Sequence, residues 1–290
     1  MELTNEEQFI FKNLLLQTYK AFREFCISNE IRFFAGGGTM IGAVRHNGII
    51  PWDDDIDIFM FRKDYDKFVS LKDRLKDTDY EIIDPTDDGY FSTMAKFSYK
   101  NSSIWEFREI PFVSGIYIDV FFLDYEDCNY EKVVKKKFRY DKYANLFLIS
   151  SSKHPMSEIL FQFSRFNLKK GIWYLLQKFL ISKMRFWFRA NIISSSNKDH
   201  GQWLVVYPSI YGKKDIYQSD WLHHGFISYP FEDTFIEVPQ KFDCILTQVY
   251  GDYLMFPPED KRVSHHSRFY VNLERRISKN EIRDLQKQPN

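Results

Sequence analysis

Two aspartates separated by one residue, Asp55 and Asp57, are the side chains in this sequence best suited to chemistry. They lie in the run PWDDDIDIFM, in which acidic and aliphatic residues alternate over residues 55–58 of a strand expected at residues 53–60. Alternation predicts a β-strand that directs both carboxylates to one face, with their Cα atoms roughly 6.6 Å apart. Such like charges repel unless a cation lies between them, and hard divalent cations prefer oxygen ligands. The pair therefore predicts a site for Mg²⁺ or Mn²⁺.

A third acid, Asp119, stands alone in the apolar run GIYIDVFFL. A single carboxylate in an apolar strand costs free energy unless a cation or a hydrogen-bond donor meets it. We therefore expect Asp119 to join Asp55 and Asp57 as a metal ligand and catalytic residue. Two interpretations fit the neighbouring Asp53 and Asp54 equally well: they support the metal ligands from the side, or they belong to a solvated loop.

Three consecutive glycines follow a short predicted strand at residues 31–35 and precede Thr39. Glycine has no Cβ, so the backbone N–H groups of Gly37, Gly38 and Thr39 can approach a phosphate closely, and the start of a helix favours the negative charge. We expect Thr39 to cap a brief helix that ends near Val44. A plain turn is the alternative interpretation.

Cations that could bind phosphate are Arg45 and Lys96, since guanidinium grips phosphate at two points and ammonium attracts it as a point charge. Either residue fits a surface cation equally well. The pair His265 and His266 could contact a diphosphate or an acceptor, but a histidine pair between arginines is also typical of a solvated turn.

The elements that must position these residues indicate an α/β (α+β) fold with a mixed sheet flanked by helices. Thr4 and Glu7 form a capping box for a helix over residues 5–29. The patterns predict further helices over residues 62–76 and 241–250, further strands over residues 81–84, 91–99 and 115–123, and a mostly helical segment over residues 130–200. The polar tail after Ser278 is expected to fray.

The helical segment is basic and aromatic, and no acid lies between Glu158 and Asp199. Over residues 159–193, apolar rings recur at helical intervals among lysines and arginines, which is typical of a helix lying on an anionic membrane. The alternative is a helical cap whose rings pack on the rest of the protein. Gly171 is expected to divide the pattern into two helices.

Length and composition set the remaining limits. The 290 residues are enough for a large core, and we predict a catalytic core at residues 1–125, a helical segment at 126–200 and a closing part at 201–290. The three cysteines are far apart, and the acidic start of the chain resembles no secretory signal. We expect a reduced cytoplasmic protein, peripheral on the inner face of the cell membrane, with no nucleic-acid partner.

The motifs resemble those of the LicD or fukutin-like phosphotransferases. The segment FAGGGTMIGAVRHNGIIPWDDDID at residues 34–57 is similar to the family signature almost position for position, and IDVFFLD at 118–124 is similar to its second motif. Phe122 stands where the family usually has proline. Val238-Pro239, Phe242-Asp243, YGDY at 250–253, Pro257-Pro258 and His265 resemble the closing pattern, which favours His265 as the substrate-binding histidine.

The resemblance implies a nucleotidyltransferase-type fold. It implies transfer of a phospho-alcohol, such as phosphocholine or ribitol phosphate, from a CDP-activated donor to a cell-surface glycan. Three alternatives stay open: transfer of the nucleotide part, which uses the same metals, transfer of a CMP-activated phosphonate, and a membrane-docked scaffold without activity. The scaffold would require broken metal ligands, whereas Asp55, Asp57 and Asp119 are all present.

Overall fold

The computed structural model of the protein describes residues 3–153, 156–179, 183–195, 198–264, 266 and 268–287. The α-helices are α1 Asn5–Ser28, α2 Gly37–Ile41, α3 Arg62–Ser70, α4 Tyr130–Ser151, α5 Met156–Ser164, α6 Leu168–Phe179, α7 Lys183–Ser194, α8 Asp220–His223, α9 Phe242–Tyr250 and α10 Lys279–Lys287. The strands are β1 Phe34–Ala35, β2 Asp57–Phe61, β3 Tyr80–Ile83, β4 Ala95–Tyr99, β5 Ser103–Trp105, β6 Tyr117–Glu126, β7 Trp203–Val206, β8 Ile216–Gln218, β9 Phe226–Phe231, β10 Thr234–Pro239 and β11 Tyr270–Asn272.

Within the described residues, seven strands form one mixed sheet in the order β1-β2-β6-β4-β3, and β7 and β8 extend it from the second half of β6. Strands β2 and β6 run parallel, whereas the other pairs are antiparallel. The predicted α/β fold with a mixed sheet and flanking helices is confirmed. Because β7 and β8 pair into the sheet, the closing part of the chain shares its core with the first. The two predicted domain boundaries stay a prediction.

Helix α1 covers one face of the sheet and supplies the centre of the core. The ring of Phe22 is fully buried and meets the rings of Phe33, Phe68 and Phe97 edge-on, with centroid distances of 5.1, 5.7 and 5.6 Å. Such edge-to-face contacts add to the free energy of burial. The capping box of Thr4 and Glu7 is present as predicted. The helix therefore holds the apolar side of the sheet and leaves the other side for the polar residues.

Two local predictions were wrong near the glycine turn. Strand β2 begins at Asp57 rather than at residue 53, so Asp55 lies in the preceding loop. Helix α2 begins at Gly37 with Gly36 as its N-cap, and Thr39 lies inside the helix. The hydroxyl of Thr39 accepts a hydrogen bond from the backbone N–H of Asp57 at 2.8 Å, so it joins the turn to the strand instead of capping.

The expectation that the tail frays was also wrong. Helix α10 follows Ser278, whose hydroxyl accepts from the N–H of Glu281, while the Glu281 carboxylate accepts from the N–H of Ser278. Ile282 is buried in a small cluster with Trp105. A second capping box and one apolar contact therefore order a segment that composition alone marks as polar.

The segment after β6 is helical, as predicted. Helix α7 packs on α4, and α5 and α6 pack on each other. Gly171 does not divide the pattern, because the break falls at Phe166, which has a positive φ of 58°, and Gly171 lies inside α6. A Cβ at Gly171 would lie 2.9 Å from the ring of Phe163, so glycine allows α5 and α6 to approach.

Large apolar side chains remain exposed on these helices and on the turn between α5 and α6. They are Leu160, Phe161, Phe166, Leu168, Ile172, Phe188 and Ile192. Of the helices in the described ranges, none combines the length and the hydropathy needed to cross a bilayer.

Candidate active site

Three charged side chains form a row across the centre of the sheet. Asp57 on β2 pairs with Asp119 on β6, and Lys96 on β4 pairs with Asp119 from the other side. Directly paired residues of neighbouring strands project to the same face, so the register alone brings Asp57, Asp119 and Lys96 together. Two of the three predicted ligands are thus neighbours.

The glycine turn lies directly against Asp57. Gly37 has a positive φ of 43°, and a Cβ at this position would lie 2.7 Å from Asp57 Oδ2. A side chain at Gly37 would therefore need a strained backbone and would press on the carboxylate. A Cβ at Gly38 would lie 2.9 Å from Asp53 Oδ2. The turn leaves both carboxylates room on the open side, and binding of phosphate by Gly37, Gly38 and Thr39 stays a prediction.

Lys96 is almost fully buried, with 3% of its surface exposed. Its ammonium lies 3.0 Å from Asp119 and 3.2 Å from Glu106, and it stands 3.2 Å from the centroid of the Tyr117 ring. Burial would lower the pKa of Lys96, but the charges of Asp119 and Glu106 raise it above its usual value. Lys96 is therefore a fixed positive charge that compensates two acids, and its predicted contact with phosphate stays a prediction.

The acids before β2 are held by a segment from near the end of the chain. Asp54 accepts hydrogen bonds from Ser264 at 2.6 Å and from Arg268, and its carboxylate lies 2.9 Å from His266 Nδ1. Burial would raise the pKa of Asp54, but the contacts with His266 and Arg268 lower it to about 2. Asp54 is thus an anchor for the loop rather than a solvated acid.

His266 also reaches the predicted ligand Asp55, with Nε2 3.4 Å from Asp55 Oδ2. The hydrogen bond to Asp54, opposed by burial and helped by the charge of Asp55, raises the pKa of His266 to about 9. Sequence reasoning favoured His265, which lies outside the described residues, so its predicted role stays a prediction. The structure assigns the contact with the acids to His266.

The three predicted metal ligands share an excess of negative charge. Burial raises the pKa of Asp55, Asp57 and Asp119. Repulsion from Asp53 and Asp119 raises the pKa of Asp55 further, and repulsion from Asp55, Asp119 and Asp53 raises that of Asp57, both to well above the usual range. A divalent cation bound among them would remove this cost, since oxygen donors suit hard ions. The donor set therefore fits the predicted ion.

The geometry places only part of the predicted ligand set in close contact. Among the described residues, the group of three potential ligands whose donor atoms all approach within 4.8 Å of one another is Asp54, Asp55 and His266. Asp57 and Asp119 adjoin this group through Asp55, as their mutual electrostatic effects indicate. Because Asp54 and His266 already bind each other, we regard Asp55, Asp57 and Asp119 as the better candidates for the ion.

Two tyrosines border the carboxylates on the side of the glycine turn. Tyr250 at the end of α9 places its hydroxyl 3.5 Å from the position of a Cβ on Gly37. The ring of Tyr211 meets the ring of Tyr250 nearly at right angles, with a centroid distance of 5.7 Å. Burial is the main cause that raises the pKa of both phenols, so they remain neutral hydrogen-bond donors near pH 7.

Arg45 binds the segment that follows α9. Its guanidinium donates to the backbone carbonyls of Tyr253 at 2.5 Å and of Met255 at 3.3 Å, and it lies over the ring of Phe256 at 4.8 Å. These contacts hold the segment after α9. The predicted contact of Arg45 with phosphate stays a prediction.

Sequence reasoning missed Glu106, Arg268 and Tyr211, and it did not choose His266. Glu106 and Arg268 reach the site through long-range contacts that no local pattern reveals. His266 had a signal, because it lies in a short segment with two arginines while the acids of residues 53–55 lack nearby cations. The acids of residues 53–55 need positive charges nearby, and this requirement would have favoured His266.

A mixed sheet that carries acids on paired central strands beside a glycine turn fits a nucleotidyltransferase-type domain. Residues 30–169 match the family LicD/FKTN/FKRP, nucleotidyltransferase domain. This match confirms the resemblance of the motifs to the LicD family and extends it into the helical segment.

Individual proteins are also similar to this chain in sequence. The chain is 28% identical to the lipopolysaccharide cholinephosphotransferase LicD of Haemophilus influenzae over 279 residues, which cover 90% of this chain and 95% of that protein. It is 40% identical to an uncharacterized protein of Rickettsia typhi over 68 residues, which cover 23% of this chain and 22% of that protein. The first similarity relates the chain over most of its length to phosphotransferases of the LicD type.

Proposed function

We propose that the protein is a metal-dependent transferase that moves phosphocholine, or a similar phospho-alcohol, from a CDP-activated donor to a hydroxyl group of a cell-surface glycan. The observation that carries the proposal is the paired row of Asp57, Asp119 and Lys96 beside the glycine turn, in a chain similar to a lipopolysaccharide cholinephosphotransferase. The acceptor would be lipopolysaccharide, teichoic acid or a capsule precursor.

In this reaction a glycan hydroxyl attacks the phosphorus atom that carries the alcohol. A new bond forms between the glycan oxygen and phosphorus, the bond from phosphorus to the CMP oxygen breaks, and CMP leaves with both electrons of that bond. The hydroxyl proton passes to one of the carboxylates. The attacking oxygen, the phosphorus atom and the leaving oxygen must lie in line, so the protein acts mainly by positioning these groups.

Mg²⁺ or Mn²⁺ held by Asp55, Asp57 and Asp119 would supply positive charge to the diphosphate and to the leaving oxygen. Lys96 lies 3.0 Å from Asp119, and its positive charge favours the ionised form that binds a metal. His266 and Arg268 hold Asp54, which fixes the loop that carries Asp55. Thr39 fixes the backbone at Asp57.

A membrane contact through residues 159–193 belongs to this proposal, together with the cytoplasmic location. The exposed apolar residues of α5, α6 and α7 are accompanied by the exposed cations Arg165, Lys169, Lys170 and Arg185, with no acid between Glu158 and Asp199. Anionic lipids attract such a surface by about 1 kcal/mol per basic residue. A glycan acceptor attached to a lipid would make this contact useful.

The direct test is a transfer assay with CDP-choline labelled either in the choline or in the CMP, and with lipopolysaccharide that lacks phosphocholine. We expect label from choline in the glycan, CMP as the free product, loss of transfer in EDTA and recovery with Mg²⁺ or Mn²⁺, but poor recovery with Zn²⁺. Label from CMP in the glycan would instead identify a nucleotidyltransferase. Full activity in EDTA would refute metal dependence.

A further inference from the structure

The corner formed by Tyr211 and Tyr250 has features that neither the metal site nor the phosphate site explains. Tyr250 lies against the glycine turn beside Asp57, and Tyr211 extends the aromatic surface outward from it. Tyr211 is 45% exposed and Ile210 before it is 90% exposed. The ring of Tyr211 therefore belongs to the border of the site and has room for a ligand.

Carboxylates lie near this corner, and Lys214 donates to the backbone carbonyl of Val249, next to Tyr250, at 2.6 Å. Apart from burial and a contact with Tyr250, the causes that shift the pKa of Tyr211 are the charges of Asp57, Asp215 and Asp55, all of which raise it. Asp215 is buried at the base of the segment, where its carboxylate accepts from the N–H of Tyr211. Among the described side chains, no lysine or arginine lies over either ring. An aromatic surface whose faces are not covered by any described lysine or arginine is suited to a cationic ligand.

A quaternary ammonium group fits this chemistry better than other groups do. It cannot donate a hydrogen bond, so it gains little from carboxylates and is recognised mainly by aromatic faces. A primary amine would be drawn to the carboxylates, and a neutral polyol would have neither attraction. In phosphocholine the quaternary ammonium is only two carbons from the phosphate oxygen, which matches an aromatic corner beside the carboxylates.

We propose that Tyr211 and Tyr250 form the subsite for the quaternary ammonium group of the donor and select choline over neutral alcohols. This inference rests on the proposed function, because it assumes that the phosphate of the donor lies at the carboxylates. Tyr211 supplies the accessible ring, and Tyr250 fixes its orientation from the glycine turn.

The test compares the affinities of CDP-choline and CDP-glycerol by calorimetric titration in excess Mg²⁺, followed by transfer assays with both donors. Tyr211→Leu removes the aromatic face, Tyr211→Phe keeps it, and Tyr130→Leu is a matched control at an exposed tyrosine on α4. We expect the wild-type protein to prefer CDP-choline by about tenfold, Tyr211→Leu to lose this preference without weaker binding of CDP-glycerol, and the other two variants to keep it.

The outcomes separate the subsite from the proposed function. Equal affinity of the wild-type protein for the two donors, or an unchanged preference in Tyr211→Leu, overturns the subsite. If transfer from CDP-glycerol accompanies equal affinities, the phospho-alcohol transferase stands and only the subsite fails. If the preference depends on Tyr211 but neither donor is consumed, the subsite stands and the proposed transfer fails.

Discussion

The carboxylate row and the pair of helices α5 and α6 are built in opposite ways. Asp57, Asp119 and Lys96 are set by strand register in the middle of a sheet, where burial changes the pKa of each group. Helices α5 and α6 pack on each other and leave their phenylalanines and leucines exposed among cations. Chemistry in the first region comes from charges that the fold forces together. In the second, the proposed membrane contact depends on the surface that the fold leaves uncovered.

The largest effect is expected at Asp57. Asp57→Asn keeps the shape of the side chain but removes one charge that the metal requires, so transfer should fall by about a thousandfold or more while the protein remains folded. Transfer rates and circular dichroism measure the two properties. The control is Asp66→Asn, an exposed acid on α3. Wild-type activity of Asp57→Asn in saturating Mg²⁺ would remove Asp57 from the site.

Lys96 should matter for stability as much as for activity. Lys96→Met leaves Asp119 and Glu106 buried without their shared cation, and breaking a buried ion pair typically costs about 3–5 kcal/mol. Urea denaturation gives the free energy of unfolding. Glu106→Gln in the same chain should restore part of the loss, because one buried charge is then removed. If Lys96→Met alone is as stable as the wild-type protein, the row is not a charge-balanced unit.

Asp215 should make stability depend on pH, because burial raises its pKa to about 7 in the folded protein. The folded state then holds a proton that the unfolded state releases near pH 4, so the free energy of unfolding falls as pH rises from about 4 to 7. The groups around this carboxyl are Lys137, Ser209, Tyr211 and Asp141.

Asp215→Asn should therefore be more stable than wild type at pH 8, and this difference should shrink toward pH 4. Urea denaturation at several pH values measures the effect. The exposed Asp77→Asn serves as the control and should show no such trend. A pH-independent difference for Asp215→Asn would show that the carboxyl is ionised throughout.

The smallest effect concerns the helices. Replacing Lys169, Lys170 and Arg185 with glutamate should weaken co-sedimentation with anionic liposomes, as high salt also should, because the attraction is electrostatic. Lys63, Lys241 and Lys279, which are exposed elsewhere, provide a control with the same change of charge. Lys183 is left intact, since it donates to the backbone of Tyr90. A wild-type protein that stays in the supernatant at low salt would make the segment structural.

The sequence predicted what depends on local periodicity. Alternation and helical spacing located α1, β2, β6, α9 and the helical segment, and a lone acid in an apolar run identified Asp119. The start of β2 was misplaced because the alternating pattern continues through Asp55 while the hydrogen-bonded ladder begins at Asp57. The alternation of residue types shows which side chains share a face of the strand. The residue at which pairing begins depends instead on where the neighbouring strand lies.

Residues that reach the site through distant contacts could not be predicted in the same way. Lys96 lies beside Asp119 because of the register of β4 on β6, and Glu106 lies beside Lys96 because the chain turns back after β4. Helix α10 was missed for another reason, since its capping box is visible at Ser278 and Glu281 but was outweighed by polar composition. For helix α10 the capping box was a better guide to the structure than the polar composition.

The contact between Asp54 and Arg268 also bears on the order in which the protein becomes complete during synthesis. These residues are 214 positions apart, so at roughly 5–20 residues per second the ribosome adds Arg268 about 10–40 s after Asp54. During that interval the sheet strands that carry Asp57, Lys96 and Asp119 are already made, but the loop that carries Asp55 lacks its cationic anchor. A nascent chain therefore contains all the acids of the site well before it contains the arginine that holds Asp54.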